Sequence, residues 1–234
     1  MAIKPILFNT EMVRAILDGR KTCTRRVIKP QWEECPVCRY VHNEYIYDKM
    51  AENVYCARCG YPLEPERRSP YQVDDILYVR ETWDCYPEYE DENAPAIYYY
   101  KADGDFRPEE YRNIGWISPI HMPKEAARIW LRVTDVRVER LQDITEDEVW
   151  DEGFRFKPPC LTRVSADGHT CDLDGPCTSS IKYCDMTMGE LFGRELWDNT
   201  IKKSDLDRYG WDANPYVFVI EFVKIDKPEE IQNA

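Results

Sequence analysis

The chain of 234 residues is 43% apolar and 32% charged, which excludes a fibrous or disordered polymer and suffices for one ordinary domain or two small ones. Its net charge of −13 disfavours indiscriminate binding along a nucleic-acid backbone, which works by setting many cations against phosphates. No run of about 18 apolar residues occurs, and the opening "MAIKPILFNTEMVR" lacks a long apolar stretch, so neither a membrane span nor a signal peptide is expected and the setting reads as cytoplasmic.

Taken in order, "KPILFN" predicts a short strand. Asn9 or Thr10 is placed to cap a helix running to Asp18, with Val13, Ile16 and Leu17 on one face, and Gly19 is placed to stop it. "TCTRRVI" follows as a β-branched strand. Its period of two puts Thr22, Thr24 and Arg26 on one face and Cys23 and Arg25 on the other, so a face of hydroxyls and a guanidinium must look at water or a cleft. Residues 1–30 carry seven cations against two acids, a local charge of +5 in a chain whose remainder carries −18. Beyond Pro30 the composition shifts to cysteine pairs, tyrosines and few aliphatics as far as Pro70. "DDILYVRETW" and "AIYYYKA" then read as strands, and "AARIWLRVTDVRVERL" as a long strand, bent or bulged. "ITEDEVWDEGF" opens on a capping box, Thr145 with Glu148, and closes at Gly153. A helix over "MTMGELFGRELWDNTI" and a strand over "PYVFVIEFVKI" complete the pattern.

These elements predict an α+β fold with a small barrel-like sheet, short helices and two Cys-rich insertions. The core falls in residues 1–30, 71–157 and 186–228. A zinc-ribbon insertion occupies 31–70, a second Cys-rich insertion 158–185, and a polar tail 229–234.

Ten cysteines in a reducing compartment argue for thiolate metal sites over disulfides. "CPVC" (Cys35, Cys38) and "CARC" (Cys56, Cys59) are two knuckles 17 residues apart, the spacing of a four-thiolate zinc ribbon. Two knuckles fill all four positions of a tetrahedral ion, so such a zinc is structural. Cys160, Cys171, Cys177 and Cys184, with His169 nearby, form a second set of candidate zinc ligands; the other reading is small cysteines packed under a loop. Cys23 and Cys85 are left over. Cys23 lies among cations able to lower its thiol pKa, although its parity sets it away from Thr24 and suits packing in the core.

Of three histidines, His42 and His169 lie in the insertions, so a triad in the core would have to use His121. No phosphate-binding P-loop, G-x-G-x-x-G or G-x-S-x-G occurs. The basic stretch is the remaining candidate. A lysine among arginines is discouraged from holding its proton, which suits Lys21 as a base toward a threonine hydroxyl and Arg26 as a holder of an anion or carbonyl oxygen. The alternative is a solvated basic edge.

"ILDGRKTCTRR" resembles the G-x-K-x-x-x-x-R signature of the ASCH domain family, with Gly19, Lys21 and Arg26 at the marked positions. "DDILYVRETW", "PIHMPKEAARIWLRVTDVRVERLQDIT" and "WDANPYVFVIEF" are similar to longer ASCH proteins of phages and prophages. The resemblance implies a PUA-like β-barrel. Some bacterial ASCH proteins are amidohydrolases that remove acetyl from 4-acetylcytidine with a lysine, a threonine and a glutamate. Carried over, these are Lys21, Thr24 and, aligned on "ITEDEVWDEGF", Glu152. Thr22 and Arg26 would then contact substrate. His121 and Arg128, in the phage-type segment, would line or brace the cleft. Glu81 and Trp83 would hold a base by hydrogen bond and stacking, or else form a core tryptophan beside an Arg80–Glu81 pair. The expected partner is a modified nucleoside or RNA. The expected activity is amidohydrolysis, against a non-catalytic RNA-binding module or a ribonuclease of the same fold.

Overall fold

The computed structural model describes residues 1–29, 31, 35, 37–38, 45–48, 53–62, 69–87, 96–155 and 186–228. Strand β1 (Ile3–Leu7) leads into helix α1 (Thr10–Leu17), whose first turn is closed by the Asn9 side chain accepting from the Met12 N–H at 2.8 Å. Gly19, at φ +71°, takes the left-handed conformation that ends the helix. The N–H groups of Arg20 and Lys21 both return to the Ala15 carbonyl, and this tight turn delivers the chain into β2 (Cys23–Val27).

A hairpin of β3 (Tyr45–Asp48) and β4 (Asn53–Cys56) forms its own two-stranded sheet. The stretch predicted as one strand over "DDILYVRETW" is two: β5 (Ile76–Arg80), and β6 (Trp83–Pro87), which pairs with β7 (Ala96–Tyr100) in a separate sheet. Glu81 breaks the run, because its carboxylate turns inward to Arg128 and its N–H faces the Met122 sulfur. Strand β8 (Trp130–Arg140) bears the expected bulge, between Val133 and Asp135. Helix α2 (Glu146–Asp151) starts on the Thr145–Glu148 capping box, and α3 (Met188–Phe192) on a second, Thr187–Glu190. The latter continues through a π-helical turn, Gly193–Trp197, into α4 (Asp198–Thr200); α5 (Leu206–Tyr209) and β9 (Tyr216–Ile225) follow.

The main sheet has the order β1-β5-β8-β9-β2, with β1 and β5 parallel and the other neighbours antiparallel. The fold is therefore mixed α+β, but the expected closed barrel is not formed. Among the described residues β1 and β2 are the two edges of an open sheet and do not pair with each other. Pro5 in β1 has no N–H to offer a further strand. A side chain reaches across the seam instead: Arg26 Nη2 donates to the Leu7 carbonyl at 2.9 Å.

The sheet curls around Ile6, Leu77, Val79, Leu131, Phe218 and Ile220, and α1 fills the bowl with Val13 and Ile16. The opposite face of β2 and β9 presents Val27, Val217 and Val219 to α2 and α3. The outer face of β5 carries Ile76 and Tyr78 against Trp83, Met122 and Trp130. Among the described residues no helix is long and apolar enough to cross a membrane.

Candidate functional site

The end of α2 is folded onto the α1–β2 turn. The Thr22 N–H donates to the Asp151 carbonyl at 2.8 Å, Lys21 and Glu152 make a lone antiparallel bridge, and Arg20 Nη1 reaches the Gly153 carbonyl at 3.1 Å. Gly153 stands at φ +78°, and a Cβ there would lie 2.6 Å from the Ala15 Cβ and 3.0 Å from the Lys21 Cβ. Glycine is thus required both for its conformation and for the close approach.

This approach joins residues 131 positions apart. Lys21 Nζ donates to Glu152 Oε2 at 2.5 Å and to the Glu152 carbonyl at 3.0 Å, while Glu152 Oε1 accepts from the Arg25 N–H at 2.7 Å. The two side chains are 0% and 3% exposed. A buried ion pair survives only when its remaining polar valences are met, and here a backbone donor, a backbone acceptor and the Arg25 guanidinium at 3.5 Å meet them. Arg25 continues to Glu139 at 3.4 Å and Glu148 at 3.2 Å, and Arg137 bonds Glu139, Glu148 and Glu221 in turn. Cys23 lies within this network, and its thiol is not activated as the neighbouring cations suggested. Burial pushes its pKa up and the Glu152 charge adds to this; Lys21 and Arg25 offset only part. Cys23 is a packing residue.

On the bowl face, Thr24 stands opposite Ile220 and Arg26 opposite Phe218, so period two orders them as expected. The face is not open, however: Thr24 is 2% exposed and Arg26 half-buried. Phe8, which the sequence did not single out, joins them. Its ring centroid lies 5.5 Å from Lys21 Nζ and 5.4 Å from Arg26 Cζ, so one aromatic ring serves both cations. Tyr71 is a second such residue. Burial pushes its phenol up and Arg26 pulls it back, while burial lowers the Arg26 guanidinium and Tyr71 and Glu152 oppose that shift. Its hydroxyl donates to the Pro5 carbonyl at 2.9 Å.

Two cavities flank the turn. One of 240 Å³ is lined by Arg20, Glu152, Gly153 and Arg155; one of 380 Å³ is lined by Lys21, Thr22, Leu131, Phe222 and Lys224. Lys21 thus borders one and Glu152 the other.

Glu81, Trp83, His121 and Arg128 are not gathered with these residues by any hydrogen bond or ion pair. Glu81 is paired with Arg128, not with Arg80: Arg128 Nε and Nη2 bond its two oxygens at 2.9 and 3.0 Å, and Nη1 bonds Asp103 at 2.6 Å. Arg128 also lies 4.0 Å over the Tyr100 ring. Arg80 points elsewhere, to the Ile120 carbonyl and the Tyr78 hydroxyl. Trp83 packs against Tyr98, and its buried indole N–H finds no partner among the described residues. His121 ends an exposed 3₁₀ turn, Pro119–His121.

The four knuckle cysteines converge. The sulfurs of Cys35, Cys38, Cys56 and Cys59 all lie within 4.8 Å of one another, a set that could hold a metal ion. The Cys38 N–H points at Cys35 Sγ (3.5 Å) and the Cys59 N–H at Cys56 Sγ (3.4 Å), the same turn in both knuckles. These N–H groups suit thiolates, which accept hydrogen bonds without donating any. Cys160, Cys171, Cys177 and Cys184, like His42 and His169, lie outside the described residues. Compared with known proteins, the chain matches no family model, no curated protein and no solved structure.

Proposed function

We propose that this protein is an ASCH-type, PUA-like module whose reactive centre is Lys21, Thr24 and Glu152, acting as an amidohydrolase on a 4-acylated cytidine or a similar modified nucleobase. The observation that carries this reading is the buried contact of Lys21 Nζ with Glu152 Oε2 at 2.5 Å, between two groups that the family resemblance selects 131 positions apart in the chain. The reaction starts from the ion pair, one ammonium proton passing along this contact to Glu152 as Lys21 turns to Thr24. Lys21 Nζ takes the proton of Thr24 Oγ1 as that oxygen bonds the acyl carbon; the C–N bond breaks and Glu152 gives its proton to the leaving nitrogen. Water then hydrolyses the threonyl ester, returning the hydroxyl proton to Thr24 and freeing the carboxylic acid. Arg26, Phe8 and Thr22 are the proposed substrate contacts. The cysteine cluster takes zinc as a closed, structural ion, since four thiolates leave no position for water.

A chromatographic assay of cytidine release from 4-acetylcytidine tests the reading. Thr24→Ala and Lys21→Ala are each expected to lower the rate by at least about a hundredfold, and turnover that survives Thr24→Ala would refute it. The sealed Lys21 amine, 0% exposed, favours a second reading, a non-catalytic RNA-binding module. On that reading RNA binds in a salt-sensitive manner, Thr24→Ala leaves binding unchanged, and no nucleoside is consumed.

A further inference from the structure

We infer that the 380 Å³ cavity beneath the end of α1 is a binding site for a nucleoside monophosphate, with Lys224 as the residue that selects the phosphate. Its volume lies in the range of small-ligand sites, roughly 300–1,000 Å³. Its floor is apolar, made by Ile16, Leu131 and Phe222, all buried. Lys224 pairs directly with Leu131 in the β8–β9 ladder, so its stem rises from the same face of the sheet as that floor.

The rim is polar and only partly spoken for. Asp18 is already tied to Arg20 at 2.8 Å. Among the described residues, neither the Lys224 ammonium nor the Thr22 hydroxyl has a hydrogen bond or ion pair, and both side chains belong to exposed residues lining the cavity. One uncommitted cation and one hydroxyl above an apolar floor match a ligand with a flat, weakly polar body and a terminal dianion. The body packs against Leu17 and Val223, the accessible apolar lining above that buried floor, and the phosphate oxygens accept from Lys224 and Thr22. A neutral nucleoside would fill the floor and leave the ammonium unused. The inference rests on the proposed function only for the choice of a nucleobase as the body; the preference for an anion stands on the rim.

Calorimetric titration of the full chain at low salt, with cytidine 5′-monophosphate, cytidine and inorganic phosphate as probes, tests it. The monophosphate is expected to bind about tenfold more tightly than cytidine. That ratio should fall to near one in Lys224→Ala, an exposed position outside the packed core, and hold in Lys224→Arg. Phosphate alone should not bind at concentrations that saturate with the monophosphate. Equal affinity for nucleotide and nucleoside, a preference untouched by Lys224→Ala, phosphate binding as tightly as the nucleotide, or no binding at all would each overturn the assignment. The two proposals separate cleanly: a phosphate preference without hydrolysis of 4-acetylcytidine or its monophosphate sinks the hydrolase alone, and hydrolysis without that preference sinks the phosphate site alone.

Discussion

Lys21 and Glu152 meet each other's charge in a place sealed from solvent. Exchanging Glu152 for Gln keeps the shape but leaves the ammonium without its counter-charge, and a broken buried pair of this kind costs about 3–5 kcal/mol. Urea unfolding of Glu152→Gln should show a loss of that size, larger than for Glu148→Gln, whose partner Arg137 keeps other carboxylates. Gly153→Ala should also destabilise, by about 1–3 kcal/mol for the left-handed backbone and more for the clash with Ala15, seen as a melting temperature lower by several degrees. The sequence showed which faces Thr24 and Arg26 share, because alternation is a local property of a strand. It did not show Phe8 or Tyr71, because what qualifies them is the approach of β1 and β2 across the seam, which no local pattern encodes.

At the scale of elements, Asp75 ties the amino terminus to β5. It accepts from the Ala2 N–H at 2.8 Å, Lys4 Nζ at 2.6 Å and the Gln72 N–H at 3.0 Å. Burial alone would raise its pKa, but these donors outweigh it and hold the carboxyl below its ordinary value. A depressed carboxylate contributes stability that is complete above its unfolded pKa, about 3.9, and is lost as pH falls through the folded one. Urea midpoints measured between pH 6 and 3 should therefore fall more steeply in the native chain than in Asp75→Asn, which has no proton to gain. The caps at Asn9 and Thr145, the stop at Gly19 and the β8 bulge were legible, since each is set by a few adjacent residues. The break at Glu81 was not: "DDILYVRETW" alternates well enough for one strand, and only Arg128, 47 residues on, draws Glu81 out of line.

For the whole molecule, the α+β class and the cysteine knuckles could be read from periodicity and spacing, whereas the closure of the sheet could not, because it depends on whether two edge strands meet. Metal analysis of the purified chain should find zinc bound by the ribbon, and Cys56→Ser should lose that equivalent by removing one of four ligands. A chelator is expected to lower the melting temperature of the entire protein, with no separate transition confined to the ribbon.

The reason lies in where the 31–70 insertion is fastened. At one foot the Gln31 side chain bonds the Ile28 and Tyr216 carbonyls and the Tyr216 N–H, beside edge strand β2; at the other, the Pro70 carbonyl accepts from Lys4 and the Tyr71 hydroxyl reaches Pro5, on edge strand β1. The insertion is thus moored to both lips of the unclosed seam. Drawing Cys35 to within 3.6 Å of Cys59 shortens the path between the moorings from 39 residues to the four before Cys35 and the eleven after Cys59. A metal ion at the knuckles would act as a buckle on this strap, and its loss would lengthen the tether between the two edge strands from these short arms to the full run of chain.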